Sequence, residues 1–147
     1  MQREEEVTKG KVEYSKGYRY QLKNMAVFET GILGFSICTE FVTLSPTGTL
    51  WLRSGYATDG VTGITGSVWA PLLERKWLIY GSFGHDGLYQ LMRLRLLPST
   101  FRPLADRLLK EWCLSAKAPQ WQADAVLFMV ENFGRVTDPD REILIAP

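Results

Sequence analysis

Apolar and polar residues alternate from Tyr18 onward, with Tyr18, Tyr20 and Leu22 on one side and Arg19, Gln21 and Lys23 on the other. A period of two marks a half-buried strand. Ile32 to Ile37 forms a second apolar run, and residues 40–44 and 49–53 are rich in β-branched and aromatic side chains. Between the last two stands Ser45-Pro46-Thr47-Gly48. Proline presets φ at the second turn position and glycine closes the turn, so the sequence predicts a hairpin there. Gly60, Gly63 and Gly66 follow at spacing three, separated by β-branched residues, which suits an extended loop and opposes helix. Val68 to Leu78 shows no clear period; Pro71 is placed to open a short helix.

The period then changes. His85, Leu88, Tyr89, Met92 and Leu96 recur at helical spacing, and Pro98 is the expected stop. A second helix is expected to be capped by Ser99 or Thr100, with Pro103 in its first turn and Leu104, Ala105, Leu108, Leu109, Trp112 and Cys113 on its apolar face. A third is expected from Pro119 to Phe133, stopped by Gly134. The short link between the first two predicts antiparallel packing. The fold class is therefore α+β, an antiparallel β-rich N-terminal half followed by a packed three-helix C-terminal half. The boundaries expected within one domain spanning 1–147 are a flexible arm at 1–16, a β-rich part at 18–66 and a helical part at 83–134. The length of 147 residues is enough for a core that needs no staples.

Composition adds exclusions. The net charge of +1 gives no global field for nucleic acid. Locally, Arg93, Arg95, Arg102, Arg107 and Lys110 face only Asp106. Such a run is either a solvated helix face or a patch for phosphate head groups. Cys38 and Cys113 make no metal or disulfide pattern and are expected to be buried free thiols. The charged start Gln2-Arg3-Glu4-Glu5-Glu6 is no signal peptide, and no run approaches 18 apolar residues. The expectation is a chain made in a cytoplasm that stays there unless another assembly carries it out.

Candidate chemistry centres on the one histidine, in Gly84-His85-Asp86-Gly87-Leu88-Tyr89. His85 and Tyr89 share a helix face, and Asp86 is turned by about 100° toward a neighbouring loop. Asp106 sits on an otherwise apolar face of the next helix, within reach of His85 if the two run antiparallel. Asp106 would fix the imidazole tautomer, and the other ring nitrogen would take a proton from water. Asp86 would hold a hard cation with loop carbonyls, Ca²⁺ being the natural choice. The bland alternatives are a polar pair locking two helices, Tyr89 as core, Asp86 serving the dipole of a helix start, and turn glycines.

His85-Asp86-x-x-Tyr89 followed by Ala105-Asp106 resembles the signature of phospholipase A2, and most of all the short, disulfide-poor form in parvovirus capsids. The resemblance covers roughly residues 56 to 113. It implies His85 as general base for water, Asp106 as its orienting carboxylate and Tyr89 as a brace. It also implies calcium at Asp86 and a glycine-bearing loop, here with Asp59, Gly60 and Gly63 as the candidate cation residues. Asp59 has no phospholipase counterpart, and the strand-rich half is no part of a phospholipase core. Tyr56-Ala57-Thr58-Asp59-Gly60, His85-Asp86-Gly87-Leu88-Tyr89, Ala105-Asp106-Arg107, Trp121 and Phe133-Gly134 also resemble a phage- and prophage-associated family called domain of unknown function 1353. That resemblance implies a phage or prophage origin, with a phospholipid surface or other phage proteins as partners.

Overall fold

The computed structural model describes residues 7–10, 12, 14–17, 19–58 and 75–133. Strands β1 (Val7–Lys9), β2 (Tyr14–Gly17), β3 (Arg19–Leu22), β4 (Met25–Glu29), β5 (Ile37–Cys38), β6 (Val42–Leu44), β7 (Thr49–Leu52) and β8 (Ala57–Thr58) come first. Helices α1 (Lys76–Arg93), α2 (Arg102–Ser115) and α3 (Gln120–Phe133) follow, with a 3₁₀ turn at Ser99–Phe101 leading into α2. The α+β class, strands before helices, is as the periodicity indicated.

The strands form a five-stranded sheet, order β1-β4-β7-β6-β5, and a three-stranded sheet, order β2-β3-β8. All pairs are antiparallel except β1 with β4. Within the segment expected to be an arm, Val7–Lys9 extends one sheet and Tyr14–Gly17 begins the other. The expected hairpin is present. The Gly48 amide donates to the Ser45 carbonyl at 3.0 Å, and Gly48 takes φ +92, which favours glycine. In β7, Leu50 and Leu52 are buried while Thr49 and Trp51 are half-buried, the alternation of a strand with one covered face.

Two stretches of the β-rich half are not as the apolar pattern reads. Ile32 to Ile37 is a loop up to Ile37, because Gly31 and Gly34 take φ of +72 and +85 and break the extended path. β4 lies between β1 and β7, with Ala26, Val27 and Phe28 all buried in succession. A strand covered on both faces has no period of two to read. Cys38, expected inside, is exposed beside Thr43; Cys113 is buried, and burial pushes its thiol up to about 12.

α1 begins at Lys76, well before the first expected helical residue, so Asp86 lies mid-helix and not near a start. It also ends early, at Arg93 rather than against Pro98. The Leu96 amide donates back to the Leu91 carbonyl and the Arg95 amide to Met92, with Arg95 at φ +59. This is a left-handed helix stop built without glycine. α2 ends the same way at Lys117, φ +72. Neither Ser99 nor Thr100 caps α2; the 3₁₀ turn puts Phe101 at the cap position, with no side-chain cap bond.

The main core lies between the five-stranded sheet and α1, where Phe28, Leu50 and Leu52 meet Ile79, Phe83 and Leu88. Each such side chain contributes roughly 1.5–3 kcal/mol by leaving water. A second, smaller core joins α2 to α3 through Leu109, Cys113, Val126 and Met129.

Candidate active site

α1 carries three glycines on the surface it presents to its neighbours, Gly81, Gly84 and Gly87. A Cβ at Gly84 would lie 2.6 Å from Trp112 Cζ3 and 2.8 Å from Phe28 Cδ1; at Gly87 it would lie 2.8 Å from Leu52 Cδ2. These residues let α1 sink against both α2 and β7. Gly81 faces Leu109 and Cys113, Gly84 faces Trp112, and His85 faces Asp106. Sequence numbers rise on one helix as they fall on the other, so α1 and α2 run antiparallel, as expected.

That approach brings the two expected partners together. His85 Nε2 lies 2.8 Å from Asp106 Oδ1. Tyr89 donates its hydroxyl to the same oxygen at 2.5 Å, and its ring lies over the imidazole with centroids 4.1 Å apart. Arg102 Nε stands 4.0 Å from the other oxygen, Asp106 Oδ2, one helical turn away on α2. Arg102 also donates to the Val130 carbonyl of α3 at 3.5 Å. Asp106 is 1% exposed, and a carboxylate so buried is tolerated only with partners on both oxygens. Burial first, and then the adjacent Asp106 carboxylate, push the Tyr89 hydroxyl well above its ordinary value, so it stays a donor.

The bond to a carboxylate makes Nε2 the protonated nitrogen and leaves a lone pair on Nδ1. Nδ1 bonds to nothing among the described residues. Among the described side-chain atoms, the one that is both sealed and unpartnered is Ser82 Oγ, one turn before His85. The histidine as a whole is 8% exposed. This is the arrangement for a base that accepts a proton from water: one nitrogen fixed, the other open.

Asp86 points elsewhere. Its Oδ2 accepts the Tyr56 hydroxyl at 3.1 Å, and its Oδ1 faces Arg93 Nη2 at 3.6 Å. Burial, then Asp86, raise the Tyr56 hydroxyl well above its usual value. Asp59, Gly60, Gly63 and Gly66 lie outside the described residues, as do Tyr18, Pro71 and Gly134. Of the expected calcium residues, Asp86 is the one that lies among the described residues; it accepts one hydroxyl and is faced by one guanidinium, and a calcium ion there would need further oxygens around it. No group of three or more His, Cys, Asp or Glu able to hold a metal occurs among the described residues.

The basic run is divided. Arg93 and Arg102 reach Asp86 and Asp106, and Lys110 pairs with Asp124 at 2.6 Å; Arg95 and Arg107 are exposed. Beside this run Leu96 is exposed, Leu97 is buried, and Phe101 packs edge-on against Phe35. The sequence reading missed Tyr56, Arg93 and Arg102 as partners of the two carboxylates. The i,i+4 spacing of Arg102 and Asp106 was a legible signal; Tyr56 and Asp86 are 30 residues apart and left none. The chain matches no family model, no curated protein and no solved structure in the comparisons made.

Proposed function

We propose that this chain is a hydrolase of lipid esters, of the phospholipase A2 type, in which His85 takes a proton from water and Asp106 holds the imidazole in the required tautomer. The observation that carries the reading is the buried 2.8 Å contact between His85 Nε2 and Asp106, with Nδ1 bonded to nothing among the described residues. Tyr89 braces the carboxylate and Arg102 balances its charge. The water that gives up its proton attacks the ester carbonyl; the protonated imidazole then returns the proton to the leaving alkoxide. The lipid-ester class and the phage origin rest on the two family resemblances. The test is release of fatty acid from phospholipid vesicles. His85→Ala should lower the rate by about 10²–10⁴-fold. Full activity in that variant would end the mechanism.

A second reading has its own support. Trp121 and Phe128 are 68% and 58% exposed and lie seven apart on α3, two turns along one face. Exposed aromatics so aligned suit a non-catalytic phage component, a tail, connector or lysis-accessory protein, in which the polar cluster only locks α1 to α2. Fixed stoichiometry in purified virions, together with no vesicle hydrolysis, would favour it.

A further inference from the structure

We infer that Arg93, braced by Asp86, is the residue that receives an anionic phosphate group of the substrate, and that it does so without a metal ion. The inference rests on the hydrolase reading for the word substrate, and on geometry for the binding. Arg93 closes the last turn of α1, yet its guanidinium folds back seven residues to stand beside Asp86, the neighbour of His85. Side chains on a helix lean toward its N-terminus, which permits this reach. At 3.6 Å the contact orients the guanidinium without a hydrogen bond to the carboxylate. None of its five donors has a hydrogen-bond partner among the described residues. It is also held in place, with its side chain only 32% exposed.

Arginine matches phosphate because two parallel N–H groups meet two oxygens. Arg93 also opens a basic stretch of the chain: from Arg93 to Arg107 there are four arginines and one acid, Asp106. Asp86 takes the bracing role that a carboxylate plays behind a binding group, fixed in turn by the Tyr56 hydroxyl. A calcium ion at Asp86 would have to displace Arg93; a phosphate would use it.

The experiment measures binding by calorimetry and melting shift in excess EDTA, using the full chain. The probes are inorganic phosphate, vesicles of ether-linked phosphatidylglycerol and vesicles of ether-linked phosphatidylcholine. None of these probes carries a carboxylic ester to be cleaved. Phosphate and the anionic vesicles should both bind if the group recognised is phosphate itself; binding of the vesicles alone assigns the site to a head group. Arg93→Gln should weaken binding at least tenfold, and Arg93→Lys less. Absence of phosphate and vesicle binding in EDTA, binding that appears only when calcium is added, or equal binding by Arg93→Gln would overturn the inference. If hydrolysis is never seen but Arg93-dependent binding is, the hydrolase reading falls and the anion site remains.

Discussion

Helix α2 is shared by two seams of opposite character. Its junction with α3 is mainly apolar, filled by Leu109, Cys113, Ala123, Val126 and Met129, with one ion pair, Lys110 to Asp124, and one hydrogen bond, Arg102 to the Val130 carbonyl, among the described contacts. Its junction with α1 buries His85, Tyr89 and Asp106 and leans on Arg102. The first seam shows that this helix needs no buried polar group to hold a neighbour. Buried ionic clusters of this kind add little over a well-packed apolar seam. Adhesion alone therefore does not account for the polar groups of the second seam.

The sharpest way to break that contrast is to remove the carboxylate. Asp106→Ala leaves an imidazole, a phenol and a guanidinium facing a void and should cost about 3–5 kcal/mol in urea denaturation. The triple variant His85→Leu, Tyr89→Phe, Asp106→Leu should recover most of that loss while abolishing vesicle hydrolysis. If the triple variant stays as unstable as the single one, the polar seam is structural after all.

Alkali attacks the apolar seam first. The Cys113 thiol is raised from 9.0 to about 12, so the unfolded chain loses that proton first and stability present below about pH 9 is lost as pH rises. Two pH units above the ordinary value, at about 1.4 kcal/mol each, the loss is roughly 3 kcal/mol. Tyr56 and Tyr89, both raised above 10.0, add to the loss only beyond that value. Denaturation midpoints at pH 8, 9, 10 and 11 should fall from the second point onward. In Cys113→Ala the fall should begin one unit later.

The smallest effect separates the loops that end each seam. Arg95 and Lys117 adopt left-handed backbone at a cost glycine does not bear. Arg95→Gly and Lys117→Gly should each raise stability by about 0.5–1 kcal/mol, after allowing for the greater freedom of glycine in the unfolded chain. Lys117→Gly should leave vesicle hydrolysis unchanged.

What was legible follows the same physics. The Pro46–Gly48 turn and the apolar face of α2 announce themselves through local rules, and so does the meeting of His85 with Asp106 once the helices are taken as antiparallel. β4 was hidden because both its faces are covered. The early start of α1 was hidden because glycine reads as a helix breaker, whereas here it makes room for Trp112 and Leu52. A basic run cannot reveal which arginines turn inward, because that depends on carboxylates brought near by folding.

The glycines of α1 carry one more consequence. Each lowers intrinsic helicity by about 1 kcal/mol relative to alanine, and there are three within eighteen residues. Cut from its surroundings, this segment would be coil, so the imidazole has no framework until sheet and helices have closed around it. The meeting of His85 with Asp106 is therefore a product of the whole fold and not of the helix alone.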